Sequence, residues 1–139
     1  MPDRTFLDTN VLVYAHDQQE PDKRRLAQGP IFEALRTRGA CVSAQVLSEF
    51  YVTVTRKIKR PLSEALAMRE VALLSHLDVV DLDSTLVLRA IELGQRWKLN
   101  HWDAMIVAAA ERGNCAVVLS EDMSDELLLG GVTVRNPFR

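Results

Sequence analysis

Only two cysteines occur in the 139-residue chain. Cys41 and Cys115 form no CxxC pair and have no histidines clustered near them. This excludes a disulfide scaffold and a zinc ribbon, and leaves two buried thiols in a reducing compartment. The three histidines, His16, His76 and His101, lack zinc-ligand spacing as well. No apolar run reaches the ~18–20 residues that span a bilayer. The opening MPDRTFLDTN has no basic segment leading into an apolar stretch and a cleavage site. Neither a membrane nor secretion is therefore expected, and the cytoplasm is the expected location. Charge of one sign is also missing: 17 basic side chains face 19 acidic ones, for a net charge of −2. The chain is no polycation that would coat nucleic acid indiscriminately. Repeats, linkers and low-complexity tracts are absent too, so residues 1–139 are expected to form one domain around one core.

What the chain does have is clustering of charge along its length. Lys23-Arg24-Arg25 and Arg56-Lys57-Ile58-Lys59-Arg60 are two basic segments. Each reads most simply as a solvated helix face, yet either can follow a phosphate backbone while the whole molecule stays acidic.

Apolar periodicity predicts alternating strands and helices. Arg4 to Leu7 is a strand, followed by a short helix from Asn10 to about His16 with Thr9 or Asn10 as its cap. Pro21 opens the next helix, which Gly29-Pro30 interrupts and Gly39 closes. Ala40 to Val42 is a strand, and Ser43 caps a helix whose stripe is Val46, Leu47, Phe50, Tyr51, Val54 and Ile58. That helix is expected to reach about Arg60, before Pro61. Ser63 starts another helix that finishes near His76. Asp78 to Leu82 is a strand, and Asp83 or Ser84 begins a helix with the stripe Leu86, Ala90, Leu93 and Trp97. Asn100 opens the helix from Trp102 to Arg112. Ala116 to Leu119 is a continuous apolar strand of the kind buried on both faces, and Thr133 to Arg135 is a last, edge strand. The alternation predicts an α/β fold, a parallel sheet flanked by helices.

Placed on this frame, the acids fall in a pattern. Asp8 and Asp122 follow strands, at the carboxyl edge where ligands bind in open α/β sheets. Glu49 lies at the border of a buried helical stripe. Asp103 sits in a first helical turn, where capping is a sufficient role for an acid taken alone. Glu121 precedes Asp122, and Asp125 and Glu126 lie just beyond, a pattern that a polar loop with capping duties explains equally. Four carboxylates brought together do not all stay ionised without a positive charge among them. A hard cation with oxygen ligands, Mg²⁺ or Mn²⁺, supplies that charge.

Taken in order, several motifs resemble the PIN domain, and specifically the VapC-type toxins of toxin–antitoxin pairs. They are Phe6-Leu7-Asp8-Thr9-Asn10-Val11-Leu12-Val13-Tyr14, Val42-Ser43-Ala44-Gln45-Val46-Leu47-Ser48-Glu49-Phe50, Asp103 to Ala110, Val118-Leu119-Ser120-Glu121-Asp122, and Gly131 to Phe138. The resemblance implies a metal-dependent endoribonuclease whose acids are Asp8, Glu49, Asp103 and Asp122, with Asp125 next in line for the fourth place. It implies Mg²⁺ (or Mn²⁺) as cofactor, RNA as substrate, a homodimer, and a small antitoxin protein that covers the acidic cleft. Thr9, Asn10 and Ser120 would hold ligands or waters, Asn10 also capping its helix. Lys23, Arg24, Arg25, Arg56, Lys57, Lys59 and Arg60 would hold the RNA backbone. Two alternatives stand beside this reading. One is a catalytically inert PIN-like module that binds RNA or protein. The other is an aspartate-dependent phosphatase, disfavoured because Asn10 occupies the position, two residues on, where that class carries a second acid.

Overall fold

A computed structural model describes residues 4–124 and 126–139. Its strands are β1 (Arg4–Leu7), β2 (Ala40–Ser43), β3 (Asp78–Val80), β4 (Cys115–Leu119), β5 (Leu127–Leu129) and β6 (Val132–Arg135). Its helices are α1 (Thr9–Tyr14), α2 (Pro21–Arg36), α3 (Ala44–Arg56), α4 (Glu64–Leu74), α5 (Ser84–Trp97) and α6 (His101–Arg112). The strands form one sheet in the order β3-β2-β1-β4-β6-β5. Every neighbouring pair runs parallel except β5 and β6. This is the α/β architecture that the alternation of elements predicts. Among the described residues no helix is long and apolar enough to cross a membrane.

The strand order fixes where a site can form. From β1 the chain adds β2 and β3 on one side, then returns to place β4 on the other. Connections leaving β1 and β4 therefore diverge, and a crevice opens beyond their carboxyl ends. The two strands stay zipped to that point: the Asp8 N–H donates to the Leu119 carbonyl at 3.1 Å.

Packing holds the crevice walls. Phe6, Leu7, Val42, Val118 and Val134 of the sheet are fully buried, as are Val46, Phe50 and Val54 of α3. Helix α6 is buried at seven consecutive positions, Ala104 through Ala110. Its alanines let the backbone lie close to its neighbours, and the chain after it comes closer still. A Cβ on Gly113 would stand 2.8 Å from Cys41 Sγ. Its φ of −78° suits any residue, so the glycine is required by space and not by conformation. Cys41 and Cys115 are both buried free thiols.

Side-chain caps set four helix starts as the sequence predicts. Ser43, Ser63, Asp83 and Asn100 accept from the N–H groups of Val46, Leu66, Leu86 and Asp103 at 3.2, 3.1, 2.8 and 2.9 Å.

Five expectations are corrected. The cap of α1 is Asp8, not Thr9 or Asn10, which lie inside the helix. Gly29-Pro30 does not interrupt α2, which runs through both. Pro30 withholds an N–H from the carbonyl four residues back, on exposed Leu26, where water can serve a free carbonyl. The α2 terminus uses Arg38, not Gly39, in the left-handed conformation, with φ 56°. Gly39 then donates to Ala34 and Arg38 to Leu35, closing a Schellman turn. Helix α3 stops at Arg56 instead of about Arg60, because the Leu62 N–H donates to the Val54 carbonyl at 2.8 Å and folds the segment back over the helix end. Finally, β6 is not the edge: β5 pairs outside it. Leu127-Leu128-Leu129 and Val132-Thr133-Val134 flank Gly130-Gly131, a hairpin signal that the sequence carries.

Candidate active site

Asp8 follows the last residue of β1 and is almost fully buried, at 4% exposure. Its Oδ1 accepts from the Thr9 N–H at 2.7 Å, and its Oδ2 accepts from Ser120 Oγ at 2.7 Å and Asn10 Nδ2 at 3.5 Å. Burial pushes its pKa up to about 6 despite the bonds from Ser120 and Thr9, and the charges of Asp122 and Glu49 push the same way. Ser120, just past β4, is wholly buried. It reaches back to accept from the Asp122 N–H at 3.2 Å. Asn10 ties the two sides of the switch point together. Its Nδ2 donates to Ser120 Oγ at 3.4 Å, and its Oδ1 accepts from the Glu121 N–H at 3.1 Å. Asn10 is thus a brace across the crevice and not a helix cap.

Glu49 comes from the half-buried border of α3, where the helical period places it. Its Oε2 accepts from Thr9 Oγ1 and its Oε1 from Gln45 Nε2, both at 2.9 Å. Sequence reasoning does not single out Gln45, although its i,i+4 spacing to Glu49 is the available signal. The other amide atom of Gln45, Oε1, is buried without a partner. Asp103 stands in the first turn of α6, its Oδ2 accepting from Asn100 Nδ2 at 2.8 Å. Burial raises its pKa, Asn100 opposes that rise, and the charges of Asp122 and Glu49 add to it.

The structure therefore places both Asp8 and Asp103 within electrostatic reach of Glu49 and Asp122. Among the described residues none of the four forms an ion pair with a basic side chain. Nor do any three acid, histidine or cysteine side chains among the described residues already stand as a ready-made metal cluster. One buried and two half-buried carboxylates, pKa values lifted at Asp8 and Asp103, and no paired cation make a donor set suited to a hard divalent ion. Asp125 lies outside the described residues. The Glu121 carboxylate is instead engaged by Lys23 at 3.0 Å.

A cleft of about 670 Å³ is lined by two of the four acids, Glu49 and Asp122, while Asp8 and Asp103 do not line it. Thr9, Val13 and Tyr14 of α1 and Val52 and Thr53 of α3 line it as well, with the exposed Asp122, Lys57 and Lys59 at its rim. The remaining predicted basic residues divide. Arg56 and Arg60 are exposed but do not line the cleft. Arg25 pairs with Asp22 on α2 at 3.4 Å, both highly exposed. Lys23 is engaged by Glu121 and Tyr14.

The PIN domain family model matches residues 5–124. The chain belongs to the PIN domain family. No curated protein sequence matches it. Among solved structures it is similar to a toxin–antitoxin complex from Klebsiella pneumoniae, with a TM-score of 0.69 at 21% identity over 96% of this chain and 97% of the other. It is similar also to DNA-bound VapBC from Salmonella typhimurium, with a TM-score of 0.66 at 20% identity over 98% and 99%. A third likeness is to Mycobacterium tuberculosis VapC20, a sarcin-ricin loop cleaving toxin, with a TM-score of 0.59 at 19% identity over 85% and 91%. At these identities the likeness is one of fold.

Proposed function

We propose that this chain is a divalent-metal-dependent endoribonuclease of the VapC type, the toxin half of a toxin–antitoxin pair, with residues 1–139 acting as one nuclease domain in the cytoplasm. The observation that carries the reading is Asp8. It is a carboxylate buried at the topological switch point, within reach of the charges of Glu49 and Asp122, with no basic partner among the described residues. Membership of the PIN domain family and the toxin–antitoxin assemblies of similar fold support it.

Asp8, Glu49, Asp103 and Asp122 are the residues that would hold Mg²⁺ or Mn²⁺. When bound, such an ion lowers the pKa of a water and neutralises charge developing on a phosphate. The chain's own part is orientation. Ser120 and the Thr9 N–H aim the two oxygens of Asp8, Thr9 Oγ1 and Gln45 aim those of Glu49, and Asn100 aims Asp103. Lys57 and Lys59 on the cleft rim would take the RNA backbone, leading a phosphate towards the acids. A small antitoxin would close the same cleft, and a homodimer would be the resting assembly.

The test is an end-labelled RNA incubated with the purified chain. Cleavage is expected with Mg²⁺ or Mn²⁺ and none after chelation with EDTA; cutting that survives the chelator rules out the metal reading. Sequencing RNA ends after brief induction would then identify the target and the cut site. A second expectation concerns the rim. Replacing both Lys57 and Lys59 with Gln should lower the slope of log K against log salt for single-stranded RNA by roughly 0.7 for each phosphate that a lysine no longer neutralises. An unchanged slope would remove these lysines from the RNA path.

A further inference from the structure

Lys23 belongs to a basic cluster and is a natural candidate for touching RNA, yet its ammonium is already surrounded. It donates to Tyr14 Oη at 3.2 Å and to the two carboxylate oxygens of Glu121 at 3.0 and 3.3 Å. It also lies 4.5 Å from the centroid of the Tyr14 ring and 5.7 Å from that of Phe138. The two rings meet edge-on at 5.0 Å. An ammonium has three protons to give, and face contact with aromatic rings adds attraction of its own. The Lys23 and Glu121 side chains are 33% and 30% exposed, whereas the Arg25–Asp22 pair on the same helix is 77% and 85% exposed. The Lys23 pair is therefore a held contact and the other a solvated surface pair.

Glu121 immediately precedes Asp122. The turn that carries both is fixed at its backbone from the sheet side, where Asn10 Oδ1 takes the Glu121 N–H and Ser120 Oγ takes the Asp122 N–H. Lys23 fixes it from the α2 side through the Glu121 carboxylate. Among the described residues no side chain partners the exposed Asp122 carboxylate itself, so its place follows from that of the turn. We propose that Lys23 is a positioning residue for the acidic site: through Glu121, and seated on Tyr14 and Phe138, it holds the Glu121–Asp122 turn so that the Asp122 carboxylate stays at the rim of the cleft. This rests on the reading of Asp122 as one of the four metal-holding acids.

Mn²⁺ titration of the purified chain tests it, with amide hydrogen exchange of the metal-free protein as a companion. Lys23→Met keeps the apolar stem and removes the charge, and Glu121→Gln removes the other half of the contact. Each should weaken Mn²⁺ binding about tenfold, the lower end of what partners behind metal ligands are worth. The double variant should be no weaker than either single, because both act through one contact. Lys23→Arg keeps the charge and its attraction to Glu121 on a head group of different shape, so it should weaken Mn²⁺ binding less than Lys23→Met does. Exchange at the Glu121 and Asp122 amides should quicken in Lys23→Met. An RNA-contacting Lys23 would give the opposite pattern. Mn²⁺ affinity would be unchanged, KM for RNA would rise in Lys23→Met, and KM would fall in Glu121→Gln because the lysine is freed; that result overturns the proposal. Asp8→Asn runs alongside. If it binds Mn²⁺ like wild type, the metal reading fails, while unchanged exchange in Lys23→Met separately rejects the positioning role.

Discussion

Replacing Asp8 with Asn should lower RNA cleavage by about a thousandfold, equivalent to roughly 4 kcal/mol of barrier, while making the metal-free protein more stable. Both effects follow from one carboxylate. Asp8 is buried, and desolvation together with the charges of Asp122 and Glu49 lifts its pKa to about 6. Each unit of lift corresponds to about 1.4 kcal/mol. Keeping the group ionised at neutral pH therefore costs the metal-free fold on the order of 3 kcal/mol. Asparagine has the same shape and no charge, and its amide oxygen can still accept from the Thr9 N–H. Its melting temperature without metal should rise by about 5 °C, and Mn²⁺ should no longer stabilise it. Cleavage by the purified variant, and melting curves with and without Mn²⁺, check both halves. A variant that cuts at the wild-type rate would remove Asp8 from the site. One that is destabilised without metal would mean that its hydrogen bonds outweigh its desolvation.

The second large effect is on pH. The folded pKa of Asp8 stands above its ordinary value of 3.8. Between about pH 4 and pH 6 the folded state therefore holds more protons than the unfolded one. With ν_N above ν_U, stability falls as pH rises through that window and rises as pH falls. Acid should thus stabilise this part of the metal-free protein, the reverse of the usual carboxylate effect. Asp103, also raised chiefly by burial, contributes with the same sign. Metal binding runs the other way, because each proton that returns to a ligand must leave again. Mn²⁺ affinity should fall up to about tenfold per pH unit below about 6, and level off above it. Urea unfolding in EDTA at about pH 5.5 and 7.5 should show the higher midpoint at the lower pH. That difference should shrink in Asp8→Asn, which isolates the contribution of Asp8 from those of other acids. A Mn²⁺ affinity flat from about pH 5 to 7 would contradict the account.

Much of this arrangement is legible in the residues alone. The elements with strong period or strong caps are where the sequence puts them. Val46, Phe50 and Val54 mark α3, and Ser43, Ser63, Asp83 and Asn100 start four helices through hydrogen bonds that a residue type alone can predict. The misses lie where packing and backbone hydrogen bonds override residue preference. Nothing local says that the Leu62 N–H will reach the Val54 carbonyl and end α3 early. Pro30 misleads, because one missing hydrogen bond on an exposed turn is cheaper than breaking a helix that buries Ala27 on one side of it and Ala34 on the other. Strand β5 escapes a reading of apolar period, although Gly130-Gly131 announces its hairpin.

In the site, the acids can be found as a set because strand ends and helix starts share one edge of a parallel sheet. What a linear sequence does not give is who holds each acid. Gln45, Thr9 and Asn100 do so through side-chain bonds, and Lys23 is drawn off from the basic cluster by Glu121, 98 residues away in sequence.

The unbroken burial of α6 has a mechanical consequence. A helix with a solvent-facing stripe can roll or slide by repacking one side, but Ala104 to Ala110 leave no such side. The backbone that carries Asp103 is therefore held by packing on all sides, and Asp8, just past the central strand β1, is set in the same core. Asp122 sits on a turn pinned by three side chains. The acids thus differ in what fixes them: Asp8 and the backbone of Asp103 by the packed core, Asp122 by side-chain bonds to its turn. A single lost bond can therefore reach Asp122 and leave the other two in place.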